Sequence, residues 1–317
     1  VICHHGVINY QLSIEMEYHK PVLLNESVDG LAIKEDGVYV DATFGGGGHS
    51  REIMKHLGAE GRLIGFDQDA DAERNAIDDE RFTLVRANFR HIKRFLRLQG
   101  VAQVDGILAD LGVSSHQFDE GTRGFSYRFE GPLDMRMNQA DTLTAADILN
   151  KYAAEPLQKM FSDYGEVRNA KTLAHAIVEW RAQSSFKTTA DLKALCEQQV
   201  KGELHRYMAQ VYQSLRMEVN DELGALMDLL KESKDIIKPS GRLAIITFHS
   251  LEDRLVKNFM KHSSFGDEPM KDFFGNYEKD WKVITKKPVT AGHEETRENS
   301  RSQSAKLRIA ERVGNRG

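Results

Sequence analysis

Val38-Tyr39-Val40-Asp41-Ala42-Thr43-Phe44-Gly45-Gly46-Gly47-Gly48-His49-Ser50 decides the fold. A short apolar run, four glycines and a segment carrying Ile53, Met54 and Leu57 at helical spacing read as strand, loop and helix. Downstream, Gly61-Arg62 introduces Leu63-Ile64-Gly65-Phe66, which ends in Asp67 and leads into a helical stretch around Ala70 to Ala76. That completes a βαβ unit. Phe82-Thr83-Leu84-Val85 supplies a third strand, and Gly106-Ile107-Leu108-Ala109, ending in Asp110, a fourth. Strands alternating with helices imply an α/β fold with a doubly wound, mostly parallel, Rossmann-like sheet.

After Asp110 the alternation stops. The pattern is helical from roughly Ala145 to Leu230, with Leu173, Ile177 and Trp180 on one helical face. A strand returns at Leu243-Ala244-Ile245-Ile246-Thr247-Phe248, after the turn Lys238-Pro239-Ser240-Gly241-Arg242. The simplest organisation is an all-helical domain over 121–214 inserted into a sheet domain formed by 16–120 and 215–317. Residues 1–15 show no period and read as an upstream extension or cloning remnant.

Composition excludes several classes. With 40% hydrophobic and 29% charged residues among 317, the chain is neither disordered nor fibrous. It has no run of eighteen apolar residues and no basic start followed by an apolar stretch, so a cytoplasmic address is expected. A net charge of −5 argues against coating nucleic acid by bulk electrostatics, although Lys286, Lys287, Arg297, Arg301, Lys306 and Arg308 form a late local cluster. Cys3 and Cys196 lie far apart without metal-ligand spacing, so no zinc site is indicated and no metal is expected.

Glycines 45–48 behind a strand let the backbone approach a ligand and aim helix N-terminal amides at it. Asp67, at the tip of the next strand, can accept both hydroxyls of an adenosine ribose. The nicotinamide fingerprint G-x-G-x-x-G fails, because Gly45 and Gly47 are followed by Ser50, and Gly46 and Gly48 by Arg51. No lysine follows as in a P-loop. An adenosine cofactor lacking polyphosphate is left, and S-adenosylmethionine fits. Asp110 and His249 end the fourth and fifth strands, where doubly wound folds hold ligands. Each has a plainer reading, as does Gln117: Asp110 can accept local amides, Ser114-x-x-Gln117 is a capping box, and Ser250 and Asp253 can cap the helix after His249.

Several strings go further: Tyr18-His19-Lys20-Pro21-Val22-Leu23-Leu24, Asp41 to Ser50, Asp110 to Ser115, Arg123-Gly124-Phe125-Ser126, Gly131 to Met137, Tyr164-Gly165-Glu166, Gln213 to Arg216, Val219 to Leu223, Phe248 to Arg254 and Ser304 to Arg308. Together they resemble the bacterial 16S rRNA (cytosine-N4)-methyltransferase family (RsmH, also called MraW) over about residues 16–313. The resemblance implies a class I S-adenosylmethionine-dependent methyltransferase. The cofactor would be held by Gly46, Gly47, Gly48 and His49, by Asp67 at the ribose, by Phe89 near the adenine, and by Asp110 and Gln117. It also implies a substrate, cytidine 1402 in the decoding centre of 16S rRNA, methylated on its exocyclic amine.

On this reading Asp110 is the acceptor for the amine and His249 a second catalytic candidate. Carbon-5 methylation would need a cysteine nucleophile, and Cys196 sits in an apolar helix that suits a structural thiol. The base must leave its stack, so Arg123, Arg136 and Arg168 are expected at the entrance of a pocket beside the helical insertion, with Arg254, Lys306 and Arg308 on phosphates. Two alternatives stay open: a dinucleotide-dependent oxidoreductase, and an RNA-binding assembly factor without turnover. Whether the chain is a monomer or a homodimer, and whether its RNA is naked or within the subunit, is open.

Overall fold

A computed structural model describes residues 21–266, 268 and 279–314. The extension over 1–15, the start of the Tyr18-His19-Lys20 string and the residues from 269 to 278 lie outside the described residues.

The chain order is α1 (Leu24–Leu31), β1 (Val38–Asp41), α2 (Gly48–His56), β2 (Arg62–Asp67), β3 (Phe82–Arg86), α3 (Ile92–Leu98), β4 (Val104–Asp110) and α4 (Ser115–Asp119). Then come α5 (Ala145–Lys151), α6 (Ala154–Gly165), α7 (Ala170–Gln183), α8 (Thr189–Gln199), α9 (Leu204–Asn220) and α10 (Glu222–Ile236). The chain closes with β5 (Ile237–Thr247), α11 (Ser250–His262), β6 (Trp281–Val283), α12 (His293–Glu298) and β7 (Lys306–Arg312). The stretch from Ala70 to Asn75, expected to be helical, is a 3₁₀ turn capped by Asp69.

The seven strands lie in the order β3-β2-β1-β4-β5-β7-β6. β1 to β5 pair in parallel, and β7 runs antiparallel to both β5 and β6. The doubly wound, mostly parallel sheet expected from the alternation of strands and helices is thus formed, with β7 as its antiparallel strand. Side chains that alternate along each strand reach opposite faces. Val40, Ile64, Ile107 and Ile245 pack with Leu96, Leu229 and Phe259 on one face, while Tyr39, Leu63, Leu108 and Ile246 pack with Val28, Ile53 and Leu307 on the other. Burial on both faces explains why these strands read as continuous apolar runs.

The turn expected at Lys238–Arg242 sits inside β5 as an irregularity. Ile237 pairs with Val104 and Arg242 with Gly106, leaving the intervening residues to bulge through Ser240 at φ 66°.

A third hydrophobic cluster runs from Phe125 to Val219 and is built by α5–α9. Leu173 and Ile177 are fully buried there and Trp180 packs against it, stacked on Phe186. Several of the peculiar strings have packing causes here. A Cβ on Gly165 would lie 2.2 Å from Ser214 Oγ, so only glycine lets α6 and α9 cross this closely. Gln213 Nε2 donates to the Tyr164 carbonyl at 2.8 Å. Asn220 then ties the insertion loop to α9, accepting from Met137 N at 2.7 Å and donating to the Met135 carbonyl at 2.8 Å. Cys196 is buried in this cluster and burial pushes its thiol up to about 12, so it offers no thiolate. Among the described residues, no helix is long and apolar enough to cross a membrane.

Candidate active site

The glycine loop is fastened from below by Asp41. This buried carboxylate accepts from Thr43 N at 3.1 Å and from Ser50 Oγ at 2.7 Å, fixing the end of β1 to the first turn of α2. Gly47, at φ 74°, caps α2 in a left-handed conformation that only glycine adopts without strain. A Cβ on Gly48 would stand 2.1 Å from Pro21 Cγ. The Gly46 carbonyl accepts from Arg51 Nη1 at 2.6 Å. His49 is buried, and its Nε2 pairs with the Val22 carbonyl at 3.0 Å, which makes Nε2 the protonated nitrogen. Its Nδ1 then faces Asp110 Oδ2 at 3.8 Å, and burial keeps the ring neutral by lowering its pKa.

Asp67 stands at the tip of β2, accepting from Gly45 N and Asp69 N, both at 2.8 Å. Burial outweighs those two bonds and pushes its carboxyl up to about 6. Phe89 opens the 3₁₀ turn after β3 and lines the same cleft. Gln117 is buried and fully engaged: Oε1 accepts from Ser114 N at 3.2 Å in the capping box, and Nε2 donates to Asp69 Oδ2 at 2.7 Å. Its contribution in this structure is therefore to hold Asp69 beside Asp67.

Asp110 ends β4. Its backbone N–H donates to Thr43 Oγ1 at 2.6 Å, while Oδ1 is enclosed with no hydrogen-bond partner. Burial, reinforced by the negative charges of Asp41 and Glu252, raises its pKa well above the carboxylate range. An enclosed carboxyl oxygen without a partner is costly, and its place in a cleft makes Asp110 a candidate for contact with a ligand.

His249 does not take the position expected of it. Its ring caps α11, with Nδ1 accepting from Glu252 N at 3.4 Å and Nε2 lying 3.2 Å from Glu252 Oε1. It is absent from the residues that line the cleft, and its charge partner Glu252 is present. Burial opposes ionisation of Glu252, but His249, the Phe248 N–H and Arg216 outweigh it and hold this carboxyl below its usual range.

Gly46, Gly48, His49, Asp67, Phe89, Asp110 and Gln117 share one cleft of about 990 Å³, together with Gly45, whereas Gly47 is not on its lining. The wall contributed by α9–α11 carries Arg216, Asn220, Glu222 and Glu252, none of which sequence reasoning assigned a role. Arg216 grips Glu222 through two bonds of 2.6 and 2.8 Å. Glu222, His249 and Glu252 bring ligand atoms within 4.8 Å of one another, but the Arg216 guanidinium already satisfies Glu222. The strings around residues 213–223 were the available signal. A segment just before β7 adds Asn299, Ser300, Arg301 and Ser304 to the lining, where Arg301 stacks over Phe118 at 5.1 Å and bonds Asp119 at 3.0 Å.

The arginines expected at the entrance are placed differently. Arg123 is 4% exposed and spends its donors on Asp69, Asp71 and the carbonyls of Arg136 and Met137. Arg136 is clamped on Asp134 and on the carbonyls of Gln139 and Asp141. Both stiffen the loop that joins the sheet to the helical layer. Arg168 is exposed but away from the cleft lining, and Arg254 is exposed on α11. Lys306 lies 3.6 Å from Asp253, and Arg308 is bidentate to the same carboxylate at 2.6 and 3.1 Å.

Comparison with known proteins gives a consistent result. A profile of the MraW methylase family matches residues 16–313. The ribosomal RNA small subunit methyltransferase H of Flavobacterium johnsoniae is 52% identical over 303 residues, 95% of this chain and 100% of that protein. Its counterpart from Flavobacterium psychrophilum is 54% identical over 291 residues, 92% of this chain and 100% of that protein. That of Cytophaga hutchinsonii is 54% identical over 298 residues, 93% of this chain and 99% of that protein.

Proposed function

The chain belongs to the MraW methylase family, and from that premise we propose that it methylates N4 of cytidine 1402 in 16S rRNA, at the decoding centre of the small subunit. It is an S-adenosylmethionine-dependent methyltransferase.

The cleft suits that cofactor on its own terms. Asp67 stands at the strand tip where a ribose diol can be accepted, Gly47 and Gly48 leave the loop without side chains, and Asp41, Asp67, Asp110 and Glu252 make an acid-rich surround for a sulfonium cation. Gly46–His49, Asp67, Phe89 and the Asp69–Gln117 pair would hold it. When bound, it supplies a methyl group already activated by a neutral leaving group.

The observation that carries the reading is Asp110 Oδ1, enclosed and unpartnered at the end of β4. The difficulty for this chemistry is the amine, whose lone pair is delocalised into the pyrimidine ring. Asp110 Oδ1 accepts a hydrogen bond from the amine, favours its pyramidal form and draws off the proton released after transfer. A positive charge entering the cleft offsets Asp41 and Glu252 and lets Asp110 ionise when it is needed. His49 Nδ1, neutral and 3.8 Å away, limits where the carboxylate can turn. Glu252 and Arg216 frame the opposite wall, where the flipped base is received.

The test is nucleoside mass spectrometry of small-subunit RNA from cells with and without this protein. Loss of one N4-methylated cytidine at the decoding centre is expected; an unchanged nucleoside profile would refute the proposal.

A further inference from the structure

The face of α11 that carries Asp253 also carries Lys257 and Lys261, and it borders a second cavity of about 450 Å³ against β6, β7 and the residues between them. Lys257, Lys261 and Lys286 are exposed, and none forms an ion pair among the described residues. Arg308 lies at the back, neutralised by Asp253, and Met260 and Val283 supply an apolar floor.

We infer that this groove holds the phosphodiester backbone of the RNA strand whose target base occupies the catalytic cleft. The inference rests on the rRNA methyltransferase reading and extends it to a binding surface. Three uncompensated cations concentrate here on a chain whose net charge is −5, so the groove is a local feature and not the edge of a basic protein. Lys257 and Lys261 are one turn apart, about 6 Å along the helix axis, which sets successive positive charges in a row. The lining carries no Phe, Tyr or Trp and only His262 as a ring, so its lysines outweigh any stacking platform and the contact is to backbone. Lys257 follows Glu252 of the catalytic cleft on the same helix, so one helix serves both surfaces.

The experiment compares wild type, a Lys257→Gln/Lys261→Gln variant and a Lys159→Gln/Lys193→Gln control of equal charge change on the helical layer. Binding to a synthetic decoding-region RNA fragment is titrated across salt concentrations, with cofactor affinity and thermal unfolding measured on the same preparations. The groove variant is expected to bind RNA about 5- to 10-fold more weakly and to lose about 1.4 from the slope of log K against log salt, about 0.7 per single-strand phosphate contact. Cofactor affinity, unfolding and the control should stay at wild-type values. An unchanged slope, or an equal loss in the control, overturns the inference. So does a groove that takes inorganic phosphate or polyglutamate while the RNA slope is unaffected by its lysines. Absence of methyl transfer by wild type would sink the proposed function instead, and is read separately from these titrations.

Discussion

Arg123 and Asp69 meet at 2.9 Å inside the wall that joins the helical layer to the loop after β2, with the arginine side chain 4% exposed. Asp69 is one link from the cofactor side, since its N–H donates to Asp67 and its carboxylate is shared with Gln117. The helical layer thus reaches Asp67, the carboxylate proposed to take the ribose, through a buried ion pair. Removing one member leaves the other charged and enclosed. Arg123→Met is expected to lower stability by about 3 kcal/mol, and to weaken cofactor binding without touching the cofactor. Urea unfolding and calorimetric titration check both; unchanged stability would show that the pair is dispensable.

Asp67 makes stability and binding depend on pH in opposite senses. Its folded pKa of about 6 lies above its unfolded value, so its favourable contribution is complete below the unfolded pKa and is lost as pH rises through about 6. The rise to about 6 corresponds to about 3 kcal/mol at most. The ligand-free protein should therefore become less stable between pH 4 and 7, and Asp67→Asn should flatten that dependence. Cofactor affinity should rise over the same window as the carboxylate ionises. Thermal unfolding and titration across pH 4–8 measure the two; a wild-type profile that Asp67→Asn leaves unaltered would contradict this assignment.

Gly48 is a steric prediction. The 2.1 Å approach to Pro21 leaves no room for a methyl group, and Pro21 leads into Val22, whose carbonyl fixes the His49 ring. Gly48→Ala should displace that segment and weaken cofactor binding by about 10-fold, roughly 1.4 kcal/mol. Gly58→Ala, whose Cβ would lie 3.3 Å from Glu35 Cβ outside the cleft, serves as the comparison. Equal effects of the two would remove the special role of this position.

The sheet was legible because its strands are buried on both faces, so Leu63-Ile64-Gly65-Phe66 and its equivalents stand out as apolar runs ending in Asp67 and Asp110. The gathering of the candidate site residues in one cleft was legible for a related reason: glycines and strand-terminal carboxylates are local in sequence. Arg123 was misplaced because nothing local distinguishes an arginine at a mouth from one sealed against Asp69 and Asp71, two carboxylates more than fifty positions earlier. His249 was misjudged for the opposite reason. It follows the strand end as read, but its ring caps its own helix and is spent on Glu252, which lines the cleft in its place. Arg216 and Glu222 went unassigned because they become part of a site only when α9 and α10 bring them to the cleft beside Asp110 and Glu252.

Asp110 carries the central claim, and one comparison tests it directly. Methyl transfer from tritiated S-adenosylmethionine to small-subunit RNA would be measured for wild type and Asp110→Asn, with cofactor affinity determined on the same preparations. Loss of a positioned proton acceptor predicts a fall in turnover of about 100-fold or more, with cofactor binding retained within a few-fold. Full turnover by Asp110→Asn with cofactor bound would contradict the account.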